Sequence, residues 1–307
     1  MRRLPALFAA LLPAATVLAQ PAGAGDGATR LAALVTDARV AEISGMAASR
    51  RRDDLLWVNN DSHKPAELYA LDTTGKVRGT LRVEGRVNVD WEDLAAYTHG
   101  GEAMLLIADT GDNGGVRTEL ALVALAEPEL SADGAPVGAA PRWVLRFRWP
   151  DGPRDCEAMA VDAQAGEILL LSKKRVPAQL FRLPLGPPAD PAAVAVAEQI
   201  ALVPNVPQPS AAELARDPAY WRYRGQVTAM DVAPDGARMV LLTYRDAYLY
   251  ARRPGEAWRD ALARAPRPLG LPDLPQPEAI AFDRAGRALW LTSERLPAPL
   301  ITVALPP

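Results

Sequence analysis

Glu157-Ala158-Met159-Ala160, then Ile168-Leu169-Leu170-Leu171, then Gln179-Leu180-Phe181-Arg182-Leu183, reads as three short strands separated by turns. The first piece opens on a polar residue and continues with small and apolar ones. The second is apolar throughout, as a strand covered on both faces must be. Asp162-Ala163-Gln164-Ala165-Gly166, between the first two, supplies tight-turn residues.

The same triplet recurs on both sides. Ser44-Gly45-Met46-Ala47 leads to Leu55-Leu56-Trp57-Val58 and Glu67-Leu68-Tyr69-Ala70-Leu71. Glu92-Asp93-Leu94-Ala95 leads to Met104-Leu105-Leu106-Ile107 and the run Leu120 to Leu125. Thr228-Ala229-Met230-Asp231 leads to Met239-Val240-Leu241-Leu242 and Ala247-Tyr248-Leu249-Tyr250. Glu278-Ala279-Ile280-Ala281 leads to Leu289-Trp290-Leu291 and Pro299 to Val303. An internal repeat of this kind outranks any local reading of the chain.

Each copy supplies three strands of a blade, and stretches such as Trp143 to Trp149 offer fourth strands. The expectation is an all-β chain forming a single β-propeller of four-stranded blades. Five copies argue for five blades. Six remains the alternative, because the intervals Ala126–Pro141 and Ala189–Tyr223 are long. The second interval contains Ser210 to Arg216, which opens like a capped helix with Glu213 at its third position and reads as an insertion. The fifth copy ends after its third strand, and Leu31 to Val40 is placed to supply the missing outer strand. That closes the ring and removes an open edge. A two-layer sandwich would leave the recurring motif unexplained.

Arg2, Arg3, the apolar run to Ala15 and the small residues of Val17-Leu18-Ala19 predict a signal peptide over residues 1–19. A flexible segment over 20–30 and a propeller domain over 31–307 complete the expected organisation, with a periplasmic or secreted destination. Cleavage there removes two arginines and no acid, taking the net charge from −3 to −5. Dispersed, mildly acidic charge argues against nucleic acid as a partner. No later segment is long and apolar enough for membrane insertion. The single cysteine, Cys156, lies in an apolar run and reads as a buried, inert thiol. A monomer is expected.

Equivalent positions of successive blades form rings about a propeller axis. The first motif position reads Ser44, Glu92, Glu157, Thr228 and Glu278, so three carboxylates and two hydroxyls should converge at one mouth. Like charges at close range raise one another's pKa or require a cation. All-oxygen donors favour Ca²⁺, with Glu92, Glu157 and Glu278 as its candidate ligands. The ends of the second strands suggest another ring of Asn60, Asp109, Lys173, Tyr244 and Ser293, followed by Asp61, Thr110, Lys174, Arg245 and Glu294. The lysines or Arg245 would instead neutralise the glutamates by ion pairing, so metal and salt-bridged channel stand as alternatives.

Asn88 to Asp93 is dense in acids, and Asp109-Thr110-Gly111-Asp112-Asn113-Gly114-Gly115 is a glycine-rich acidic loop. Both suit Ca²⁺ coordination, although Asp and Asn also serve simply to shape turns. His63 is the sole histidine beside acids and a serine, and an exposed turn residue is its ordinary reading. No nucleophile elbow, phosphate-binding loop or His-Glu-x-x-His motif is present.

Ser44 to Ala47, Leu56 to Ser62, Asp90 to Ala95, Ile107 to Asn113, Glu157 to Ala160 and Gln276 to Ala281 resemble segments of largely uncharacterised, secreted bacterial β-propeller proteins. More distantly they resemble the TolB-like superfamily, with its gluconolactonase and senescence-marker-type lactonases and esterase-like, phytase-related propellers. That resemblance implies six blades in many relatives and a divalent cation in the channel of the lactonases. The lactonase ligand pattern is not reproduced residue by residue.

The resulting expectation is a calcium-dependent hydrolase of a lactone or ester, phosphate esters included. Glu92, Glu157 and Glu278 would hold the ion, Asp109 or Asp112 would orient water, and Lys173, Tyr244 and Arg245 would meet substrate. The alternative is a non-enzymatic propeller presenting Trp91, Trp221, Tyr223 and Tyr244 to a protein, peptide or cell-wall ligand at one face.

Overall fold

The computed structural model of the protein describes residues 28–306, so the expected signal peptide and most of the 20–30 segment lie outside the described residues. Five antiparallel sheets, each of four or five strands, form a five-bladed β-propeller. The innermost strands are Ile43–Ala48, Trp91–His99, Cys156–Asp162, Val227–Val232 and Pro277–Phe282. Each packs against the next, and the fifth returns to the first. The second strands, including Leu55–Asn60 and Glu167–Ser172, are buried along nearly their whole length because both faces meet a neighbouring blade.

The apolar core is accordingly split into five clusters, one between each pair of adjacent blades. One joins Leu106, Phe147 and Trp149 to Met159 and Phe181, and another joins Ile43 and Val58 to Ala279 and Leu300. Cys156 is fully buried within the first of these, where burial pushes its thiol pKa upward.

Thr29–Val35 pairs antiparallel with Ala298–Ala304 and supplies the outer strand of the last blade. The long intervals hold no sixth blade. Val137–Ala139 joins the edge of the first blade in parallel, and Val194–Val196 does the same for the second. Glu198–Val203 is the fourth strand of the third blade. The helix Ala211–Arg216 carries a capping box between Ser210 and Glu213 and leads into a second short helix, Pro218–Trp221. No helix among the described residues is long and apolar enough to cross a membrane.

One irregularity repeats in all five blades. Where the innermost strand meets the second, the ladder slips by one residue near its start, between Ile43 and Gly45, Trp91 and Leu94, Cys156 and Ala158, Val227 and Ala229, and Pro277 and Ala279. The unpaired residues include Ser44, Glu92, Glu157, Thr228 and Glu278. A bulge leaves its extra residue out of the ladder and re-aims its side chain.

Candidate functional site

The acids gather at the mouth where the innermost strands begin. Carboxylate oxygens of Asp61, Asp90 and Glu92 lie within 4.8 Å of one another, and so do those of Glu92, Asp155 and Glu157. Glu92 is common to both groups. Its Oε2 accepts a hydrogen bond from Ser44 Oγ at 3.0 Å, joining ring positions of the first two blades. Asn88 draws the first-blade loop over the site: its Nδ2 donates to the carbonyls of Asn60 (3.1 Å) and Asp61 (2.8 Å), while its Oδ1 accepts from Trp91 N (3.0 Å). On the other side, Gly111 abuts the carboxylates of Asp90 and Glu92, and a β-carbon would overlap both.

The two groups differ in their counter-charges. No lysine or arginine forms an ion pair with Asp61, Asp90 or Glu92 among the described residues; Arg117, in the adjoining loop, pairs with Asp109 at 2.7 Å. Glu157, by contrast, is ion-paired with Lys173, and Lys174 Nζ lies 2.8 Å from Asp155 Oδ2. The Lys174 contact is an ion pair by distance without the angle of a good hydrogen bond, because Asp155 Oδ2 has no hydrogen-bond partner. The salt-bridged arrangement thus describes the Glu157 side of the mouth, while Asp61, Asp90 and Glu92 have no ion-pair partner among the described residues.

Burial raises the carboxyl pKa on both sides of this division. Burial, then the charges of Glu157 and Asp61, holds the Glu92 pKa well above the usual carboxylate range. Burial and Asp61 push Asp90 up to about 6. Burial raises Glu157 despite its lysine. Burial opposes the charge on Lys173, yet Glu157 beside it more than restores it, so its pKa ends above the ordinary lysine range. Glu278, buried and near Glu157 and Glu294, is pushed up to about 8, although Tyr244 donates to its Oε1 at 2.7 Å. Unless a cation enters, several of these acids keep protons at neutral pH.

The remaining expected residues fall as follows. Register shows that Asn60, Asp109, Ser172, Thr243 and Ser293 pair with the residue before the bulge, or with its equivalent. Lys173 and Tyr244 therefore belong one step later, alongside Asp61, Thr110 and Glu294, which corrects the ring as read from sequence. Asp109 accepts from Arg117 (2.7 Å) and from Asp90 N (3.3 Å). The two oxygens of Asp112 accept from Val116 N (2.8 Å) and Arg117 N (3.0 Å). Both carboxylates shape the loop, so their contacts do not support the water-orienting role expected of them. Arg245 pairs with Glu213 at 3.2 Å and packs over the Trp221 ring, so it docks the inserted helices and does not face the acids. Thr228 Oγ1 donates to Pro277 O at 2.8 Å and holds two blades together.

Beside the acids runs a groove of about 600 Å³, lined in part by Lys173, Lys174, Tyr220, Tyr223, Tyr244 and Arg295. Lys173 stands 5.2 Å from the Tyr244 ring centroid. Among the described residues, the three non-glycine residues with left-handed backbone, His63 (φ 62°), Gln276 (φ 47°) and Arg295 (φ 71°), all sit in loops at this mouth. Strain concentrated this way is a recurrent property of functional surfaces. His63 itself is an exposed turn residue.

Asp93 closes the axis behind the site. Fully buried, its carboxylate accepts from Leu94 N (2.9 Å) on its own strand, from Met159 N (2.9 Å) on the third blade and from Met230 N (3.2 Å) on the fourth. Sequence reasoning passed over Asp155 altogether. It stands just outside the repeated motif, and no periodic signal marks it. A scan against protein-family models finds no match to this chain, and neither does a search of curated proteins.

Proposed function

We propose that the acidic mouth binds a divalent cation, Ca²⁺ by the character of its donors, and that the protein is a hydrolase of an ester or lactone bound in the adjoining groove. One observation carries this reading: Asp61, Asp90 and Glu92 converge within 4.8 Å at an accessible mouth, with no cationic side chain among the described residues paired to them. Oxygen-only donors fit a hard cation, and Gly111 leaves the space they need. Asp61, Asp90 and Glu92 are the ligands proposed here, with Glu157 and Glu278 as the flanking acids. When bound, the ion would supply Lewis-acid polarisation of a carbonyl or phosphoryl oxygen.

The chain's own residues support the rest. Lys173 and Tyr244 border both the acids and the groove, so they are placed to orient a substrate between the two. Glu278 holds a proton at neutral pH, and Tyr244 links it to the groove. The half-exposed rings of Tyr220 and Tyr223 offer flat apolar surface to the remainder of the ligand.

Thermal melting with calcium against a chelator, followed by an esterase, lactonase and phosphatase panel, tests the reading. The expected result is calcium-linked stabilisation that disappears in Glu92→Gln. Stabilisation without turnover on any substrate would favour a non-enzymatic propeller using the same groove. No stabilisation would remove the cation and the hydrolase together.

A further inference from the structure

At the opposite end of the axis, the innermost strands finish around a second depression of about 370 Å³. Arg50, Tyr97, Thr98, Asp162, Gln164 and Arg284 are among its lining residues. Arg50 follows the first innermost strand and is half-buried. Its guanidinium makes one hydrogen bond, from Nε to Ala96 O at 2.8 Å, and its buried Nη1 has no partner among the described residues.

Three acids act on Arg50 from a distance, and each accepts hydrogen bonds from other donors, Asp283 from Arg287 N at 2.6 Å. Glu127 accepts from Ser49 Oγ, from Trp57 Nε1 at 3.0 Å and from the Arg50 backbone N–H at 2.9 Å. Asp231 accepts from Val232 N and Phe282 N, both at 2.8 Å. Burial, with the nearby charge of Arg284, disfavours the charged guanidinium. Arg284 pairs with exposed Asp53 at 3.1 Å. Asp162, the carboxylate lining the depression, is neutralised by Arg252 at 2.7 Å. Enclosed arginines are ordinarily paired, as Arg252 is here. Arg50 forms no such pair among the described residues, while most of its donors remain uncommitted.

We infer that this depression is an oxyanion site, taking the phosphoryl or carboxylate group of a small ligand on the fork of Arg50, with Arg284 at its rim. A planar guanidinium with free donors matches these groups in geometry as well as charge. Thr98 and Gln164 add neutral hydrogen-bonding groups around the same space. The site lies across the Asp93 plug from the acidic mouth and does not depend on the cation proposed there.

Calorimetric titration with inorganic phosphate and, separately, with succinate tests this on the intact protein at fixed ionic strength without calcium. Saturable 1:1 binding of at least one probe is expected, and the preferred probe distinguishes phosphoryl from carboxylate recognition. Arg50→Gln should weaken it at least about tenfold, the loss expected for a charge-assisted hydrogen bond. Arg284→Gln, at an exposed position, should weaken it to a lesser degree and carries the test if Arg50→Gln does not fold. Lys174→Gln, at the other mouth, should leave binding unchanged. Absence of saturable binding to either probe, binding retained in both arginine variants, or loss in Lys174→Gln would each overturn the assignment.

Discussion

Gly111 lies against Asp90 so closely that a β-carbon on the glycine would come within 2.5 Å of Asp90 Oδ2, and it would also overlap Glu92. The atoms it meets are carboxylate ends, which can swing away. Gly111→Ala should therefore keep the fold while spreading the acids apart. The expected outcome is a melting temperature within a few degrees of wild type and at least about tenfold weaker calcium binding by titration calorimetry, since the displaced carboxylates can no longer all reach one ion.

Two isosteric substitutions should separate the halves of the acidic mouth. Glu92 is a buried acid with no ion-pair partner among the described residues, held toward its neutral form. Replacing it with glutamine should leave stability in chelator within about 1 kcal/mol of wild type. Glu157→Gln strands Lys173 without its counter-ion and should lose about 3–5 kcal/mol. Urea unfolding checks both; equal losses would show that the division between paired and unpaired acids is wrong.

The pH dependence of the calcium-free protein should run opposite to ordinary acid sensitivity between pH 5 and 8.5. Asp90 and Asp231 are pushed up to about 6 and Glu278 to about 8, chiefly by burial. A raised carboxyl pKa means that the folded chain binds protons more tightly than the unfolded one in the window between the two values. Stability is then lost as pH rises through the folded values. The melting temperature in chelator should fall from pH 5 to pH 8.5, and calcium should flatten the fall. A rising profile would contradict the protonation pattern.

Asp93 should matter for structure irrespective of any ligand. Removing its carboxylate leaves backbone N–H groups of Leu94, Met159 and Met230 buried without an acceptor. Asp93→Ala is expected to lose about 3 kcal/mol or more in denaturant unfolding, since each orphaned donor costs about 1–3 kcal/mol. Asp93→Asn, which keeps one carbonyl acceptor, should fall between the two.

The blades were legible in the sequence because one motif opens each of them, and the same position supplies the ring of Ser44, Glu92, Glu157, Thr228 and Glu278. The placement of Lys173 and Tyr244 was misjudged by one residue. Ser172 and Thr243 end the paired strands, whereas the projecting side chains belong to the residues after them. Asp61 and Asp90 were visible only as parts of acidic turns, since their approach to Glu92 depends on Asn88 and Gly111, which act across loops. Val137–Ala139 and Val194–Val196 are too short for a pattern to announce them, and each pairs with the edge of a preceding blade.

The ladder between Thr29–Val35 and Ala298–Ala304 places Thr29 opposite Val303 and Val35 opposite Ala298. Tension applied through the two ends would enter this ladder at one extremity and peel it rung by rung, with no shearing of many bonds together. The ring should therefore open first at its seam under mechanical load, at low force, while the other four blades still hold their shape.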